Sequence, residues 1–180
     1  MATVRAGGRG ALVVVDVQVG VVEGAWEADR VVGNVTRAVD RARAAGVPVV
    51  WVQHEDDELV RDTPVWQWVP ELIPAEGEAR VFKRFNSSFE RTTLDDELAR
   101  LDVSHLALAG AATNWCIRAT AYAALERGYD LTLVGDAHTT VGEHAAEVVD
   151  DLNTVMRWVS YAEVTNTTAS AEEINFSALS

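Results

Sequence analysis

One cysteine, Cys116, is all that the chain contains. No internal disulfide can form, which fits a reducing compartment, and the cytoplasm is the expected location. No apolar run reaches the ~20 residues that a membrane span needs. The stretch from Met1 to Gly10 also lacks the apolar centre of a signal peptide. Cations are scarce: Lys and Arg number 15 against 28 Asp and Glu, a net charge of −13. Phosphate backbones are bound by basic surfaces, so neither nucleic acid nor a membrane is an expected partner. The four histidines are His54, His105, His138 and His144, spread along the chain. Transition-metal sites gather several His or Cys, so no metal site and no cofactor are expected. Gly7-Gly8-Arg9-Gly10 looks like a phosphate loop but precedes its strand, whereas a dinucleotide loop follows one.

No repeat, low-complexity tract or linker divides the 180 residues, 48% of which are hydrophobic. They read as one domain over residues 1–180, with a core over about 10–160 and a polar tail over 161–180. Ala11-Leu12-Val13-Val14-Val15 is an unbroken apolar run, as in strands buried on both faces of a parallel sheet. Val31, Val32, Val35, Ala38, Val39, Ala42 and Ala45 recur at helical spacing over 28–45, and Gly46 and Pro48 stop that helix. Val47 to Gln53 is a second strand, and residues 54–79 are an acidic excursion carrying Trp and Pro. Arg80 to Phe82 is a short third strand, and Thr92 or Thr93 caps a helix built on Leu94, Leu98 and Leu101. Leu106 to Ala109 is the fourth strand, and Asn114 to Arg127 a helix ended by Gly128. Tyr129 to Val134 is the fifth strand, residues 143–154 the next helix, and Arg157 to Ser160 a sixth strand. From Tyr161 the chain turns polar and aperiodic. This alternation predicts an α/β fold: a doubly wound, Rossmann-like parallel sheet of six strands, order 3-2-1-4-5-6, with helices on both faces. Ligands in such folds bind beyond the carboxyl ends of the strands, where the winding reverses.

Three reactive side chains stand just past strands. Asp16 closes the first; Lys83 follows the third, beside Arg84; Cys116 lies in the first turn of the helix after the fourth, behind Thr113 and Asn114 as candidate caps. Each has a plain alternative: a solvated strand end, a surface lysine, an inert buried thiol. The sequence does not decide which of Lys83 and Arg84 turns inward. Together the three are a nucleophile, a base and a cation, and a helix start beside a cation favours a thiolate. Gln18 points to the same side as Asp16 if the strand geometry continues. Trp26, the Trp66/Trp68 pair, Phe85, Trp115, His54 and His138 lie in or beside loops over the strand ends and are candidate pocket walls.

Asp16-Val17-Gln18, Lys83 with Ser87-Ser88-Phe89, Gly110-Ala111-Ala112-Thr113-Asn114-Trp115-Cys116 and Gly135-Asp136-Ala137 resemble the isochorismatase-like hydrolases. These include nicotinamidases, N-carbamoylsarcosine amidases, ureidoacrylate amidohydrolases and isochorismatases. The resemblance spans roughly residues 10–160. It implies a catalytic set of Asp16, Lys83 and Cys116, a cis peptide at Ala111–Ala112, and an oxyanion hole from the backbone N–H groups of Ala112 and Cys116. It also implies a homodimer or higher homo-oligomer. Nicotinamidases bind a metal through an Asp and two His near the second strand. Here that region reads His54-Glu55-Asp56-Asp57-Glu58, with one histidine. Isochorismatases that cleave a vinyl ether generally lack the cysteine.

The expected function is therefore a cysteine amidohydrolase that cleaves a C–N bond of a small amide, carbamoyl or ureido compound through a thioester. Alternatives are a non-catalytic small-molecule-binding or scaffold protein, and hydrolysis of an ester or vinyl ether.

Overall fold

The computed structural model describes residues 5–179; the expectations for Met1 to Val4 and for Ser180 lie outside the described residues. A six-stranded sheet, all parallel, runs in the order β3-β2-β1-β4-β5-β6. Its strands are β1 Arg9–Val15, β2 Val49–His54, β3 Ala79–Lys83, β4 Val103–Ala111, β5 Asp130–Thr139 and β6 Asn166–Ala169. The helices are α1 Val19–Val22, α2 Ala28–Ala44, α3 Leu94–Arg100, α4 Arg118–Glu126 and α5 Ala145–Trp158.

β1 shows why the run at 11–15 is unbroken. Successive strand side chains face opposite ways. Leu12 and Val14 pack on one face with Val35, Ala38, Val39 and Ala42 of α2. Ala11, Val13 and Val15 pack on the other, with Leu94 and Leu98 of α3 and Ala121 and Leu125 of α4. Both faces are dry, so both parities must be apolar.

At Gly110, β4 lies close against Val15 of β1. The φ of Gly110 is +127°, and a Cβ there would stand 1.9 Å from the Val15 carbonyl oxygen. Only glycine fits.

The carboxyl-terminal segment differs from the expectation. Arg157 and Trp158 belong to α5, which extends past 154 because Met156 reaches the core. The sixth strand is β6, paired in parallel with Leu131–Val134 of β5. Its threonines carry the β-branching that a strand favours, within a stretch whose polarity hides it. Nor is the tail solvated: Ala171, Ile174 and Phe176 are buried against the α2 face. Arg41 donates to the carbonyls of Ala171 and Ile174, and Asp136 Oδ1 accepts from Ala171 N at 2.7 Å. β5 also runs longer than expected, through Thr139.

Candidate active site

Asp16 sits one residue past β1 in the left-handed region (φ 53°), with its N–H bonded to the Val52 carbonyl at 2.9 Å. Aspartate tolerates that conformation better than most residues. Strand geometry therefore stops at Asp16, whose carboxylate is buried. Lys83 ends β3 and is 2% exposed. The Ala111–Ala112 peptide is cis, and a π-helical turn, Thr113–Ile117, leads into α4. Ile117 N closes that turn on the Ala112 carbonyl at 3.1 Å, which leaves Cys116 on the inner side, at the edge of burial.

Lys83 Nζ joins the three strand ends. It lies 2.6 Å from Asp16 Oδ2, 3.0 Å from His54 Nδ1, 3.2 Å from Cys116 Sγ and 3.2 Å from the Phe85 carbonyl. An ammonium has three N–H groups for these four acceptors. Because Lys83 donates, His54 Nδ1 must accept, and the ring proton sits on Nε2, 3.0 Å from Asp56 Oδ2. Asp56 Oδ1 is held by the N–H groups of Glu58 and Leu59. Asp16 Oδ1 is buried without a hydrogen-bond partner.

The electrostatics follow from burial. Desolvation raises the Asp16 pKa above the ordinary carboxylate value, although Lys83 opposes it. Burial alone would lower Lys83, but the Asp16 charge lifts it above the usual lysine value. Desolvation and Asp16 push the Cys116 thiol up to about 12, against the pull of Lys83. The expectation of a resting thiolate is thus overturned. Lys83 and Asp16 neutralise each other at 2.6 Å, so the thiol sees burial without net positive charge. The expected side-chain caps are also absent. Thr113 Oγ1 bonds His138 Nδ1 (2.9 Å), and Asn114 Oδ1 accepts from Thr140 Oγ1 (2.6 Å).

A cavity of about 500 Å³ opens above these groups. Asp16, Cys116, Ala112, His54 and Asn86 line its inner part, and Leu59, Val65, Val141 and Trp115 give apolar walls. Glu23, Asp56 and Glu58 also line it. Gly20 is a close contact between α1 and the excursion, since a Cβ there would stand 3.0 Å from Val65 Cβ.

Residues 10–168 match the family described as the isochorismatase domain. The chain belongs to the isochorismatase-like hydrolases. Among sequence relatives of this chain is a streptothricin hydrolase of Streptomyces noursei, 38% identical over 148 residues, 78% of this chain and 58% of the relative. The chain thus spans a little over half of that protein's length. A secreted isochorismatase effector of Verticillium dahliae is 30% identical over 91% of this chain and 89% of its own. Among solved structures, an isochorismatase of Pseudomonas putida superposes with a TM-score of 0.82 at 25% identity, covering 93% of this chain and 91% of that one. A cysteine hydrolase of Pseudomonas syringae gives 0.80 at 26%, covering 92% and 90%.

Within this isochorismatase-like site, His54 and Trp115 line the cavity, as expected. Four other candidates do not. Gln18 is fully buried, because the chain turns at Asp16. Its Nε2 donates to the carbonyls of His54 (3.0 Å) and Trp66 (2.8 Å), and its Oε1 accepts from His54 N (2.9 Å). It fixes the strand end that presents His54. Trp26 is tied to the end of β5, its backbone N–H to the Thr140 carbonyl and its carbonyl to Thr139 Oγ1, and its ring lies under Arg30. Phe85 contributes its carbonyl to Lys83, while its ring lies under Arg91 and is 43% exposed. His138 is buried behind the nucleophile turn. Its Nε2 donates to Asn153 Oδ1 (3.1 Å), which leaves Nδ1 to accept from Thr113. Trp66 and Trp68 also turn inward, against Phe82 and Trp51.

Asn86, Asp56 and Asn153 were not singled out from sequence. Polar residues in loops carry no period that would mark them. For Lys83 a signal was available: it is the single lysine in a chain whose other side-chain cations are arginines. Arg84 instead turns out to Glu55 at 3.4 Å.

Proposed function

We propose that the protein is a cysteine amidohydrolase acting on a small amide, carbamoyl or ureido compound. What carries this reading is the pairing at Asp16: one oxygen is held by Lys83 at 2.6 Å, the other is buried, and the Cys116 thiol interacts with the same carboxylate. A buried acceptor next to a proton that must leave is the arrangement of a general base. Asp16 takes the Cys116 proton as Sγ attacks the carbonyl carbon, so no resting thiolate is needed. The N–H groups of Ala112 and Cys116 hold the oxyanion. The proton passes from Asp16 to the departing nitrogen, leaving a thioester. Asp16 then takes a proton from water as the water attacks the thioester, and the acid and the free thiol are released. Lys83 keeps Asp16 oriented and offsets the negative charge that builds up in each step.

The streptothricin hydrolase similarity agrees with amide cleavage. Because His54 is committed to Lys83 and Asp56, catalysis runs without a metal, and dialysis against EDTA leaves it unchanged. The chain assembles as a homodimer or larger, with residues 54–79 near the contact. Light scattering reads this as at least twice the chain mass; a monomeric mass with full activity rejects it. A screen of small amides, carbamoyl and ureido compounds with ammonia detection tests the activity. The wild type turns over at least one of them, and Cys116→Ser, which lacks an acidic nucleophile, turns over none. Appreciable turnover by that variant removes the covalent route.

A further inference from the structure

The charge lining the cavity is not required by acyl transfer. Glu23, Asp56 and Glu58 all line it together with Asp16, and no arginine or lysine does. Lys83 lies beneath, buried and neutralised by Asp16. Several acids elsewhere carry a basic partner, whereas Glu23 and Glu58 do not among the described residues. Glu55 pairs with Arg61 at 2.7 Å, Glu78 with Arg43 at 2.8 Å, and Glu97 with Arg100 at 2.7 Å. Glu23 and Glu58 make no ion pair and no side-chain hydrogen bond among the described residues. Asp56 is held by Glu58 N, Leu59 N and His54 Nε2, which fixes its charge in place. Two further features of the same cavity concern a ligand. Asp16 lines it as a buried carboxylate, and Trp115 lines it with 54% of its surface exposed. Indole is the side chain best suited to hold a cation against its ring.

We infer that this cavity selects a cationic substrate: an amide or ureide whose carbonyl carbon meets Cys116 Sγ and whose ammonium or guanidinium arm reaches Glu23 and Glu58. The inference rests on the reading of Cys116 as acyl-transfer nucleophile. An amide bearing a carboxylate would meet like charge on this lining with no exposed cation to receive it, and like-charge juxtaposition is strongly selected against.

A matched series tests this: mono-N-acetyl-1,4-diaminobutane (cationic), N-butylacetamide (neutral) and N-acetyl-4-aminobutyrate (anionic). Turnover is measured with the wild type, and equilibrium binding by calorimetry with Cys116→Ser. The cationic amide exceeds the neutral one by about tenfold in kcat/KM and in affinity, as expected for charges a few ångströms apart at a partly solvated site. The anionic amide falls below both. Raising the salt narrows the spread. Glu23→Gln/Glu58→Gln brings the ratio toward one, whereas Asp150→Asn/Asp151→Asn, which removes the same charge from exposed positions on α5, keeps it. If the double variant does not fold, Glu58→Gln and the salt series read the same ratio. Equal values across the three amides, or preference for the anion, overturn the inference while hydrolysis stands. Preferential binding of the cation without turnover of any amide rejects the hydrolase reading, and the substrate assignment with it, and leaves only the cavity's preference for cations standing. Neither binding nor turnover of the cationic amide overturns it.

Discussion

His54 Nδ1 accepts a hydrogen bond from Lys83 Nζ at 3.0 Å, and the opposite ring nitrogen donates to Asp56. The last residue of β2 thereby reaches the Lys83 ammonium. Losing one hydrogen bond to a charged group costs about 1.5–3 kcal/mol, so His54→Ala lowers kcat by about tenfold or more. His54→Asn offers an amide oxygen near the place of Nδ1 and recovers part of the loss. Steady-state kinetics of the two variants checks this; equal rates would show that the acceptor is not what matters.

Asp16→Asn has two opposite consequences. It removes the proton acceptor, and turnover drops ~10²-fold or more. It also removes the negative charge that helps hold the Cys116 thiol up at about 12, while Lys83 stays. Alkylation by iodoacetamide at neutral pH therefore becomes faster in the inactive variant than in the wild type. Peptide mass spectrometry measures it, and slower labelling contradicts the assignment of Asp16 as the group that raises the thiol.

The pH profile carries one acid limb from the site. Asp16 must be ionised to accept a proton, and burial raises its pKa. Activity is present above that pKa and lost as the pH falls through it, at a pH above the ordinary carboxylate range. No limb from Cys116 ionisation enters near neutrality, because the thiol titrates only at about 12. A kcat/KM profile that rises with a thiol-like pKa between 7 and 9 would contradict the proposed base.

Stability has its own window. Burial lowers His138 from 6.5 to about 4 in the folded chain. Between those values the unfolded chain binds a proton that the folded chain does not. The contribution is fully present above about 6.5 and is lost as the pH falls toward 4, amounting to about 3 kcal/mol over the window. Urea unfolding across pH 4–7 measures the slope. His138→Gln keeps polar contacts to Thr113 and Asn153 available and flattens it.

The elements that carry the active site were legible because their signals are local. Ala11–Val15 reads as a doubly buried strand, and Gly110 through Cys116 carries the resemblance to the isochorismatase-like hydrolases. Strand order followed from the alternation and from right-handed crossovers. The tail was misread for a physical reason. β6 and the segment holding Ala171, Ile174 and Phe176 are stabilised by β5, α2 and Arg41, not by their own periodicity. The thiol was misread for another. A helix start and a cation favour a thiolate locally, but burial and a carboxylate already paired with that cation decide otherwise.

By itself the sequence determined the α/β winding and the family, and it singled out Asp16, Lys83 and Cys116 as candidates. Apolar periodicity and a glycine with no alternative are short-range facts written in residue order. Only the tertiary structure decided that Lys83 and not Arg84 turns inward, that Gln18 and His138 brace the site from behind, and that His54 reaches Lys83. Only it collected Glu23, Asp56 and Glu58, from two separate loops, around one cavity. These relationships join residues that lie tens of positions apart. They depend on where strand ends meet, and no pattern within a window of sequence records that.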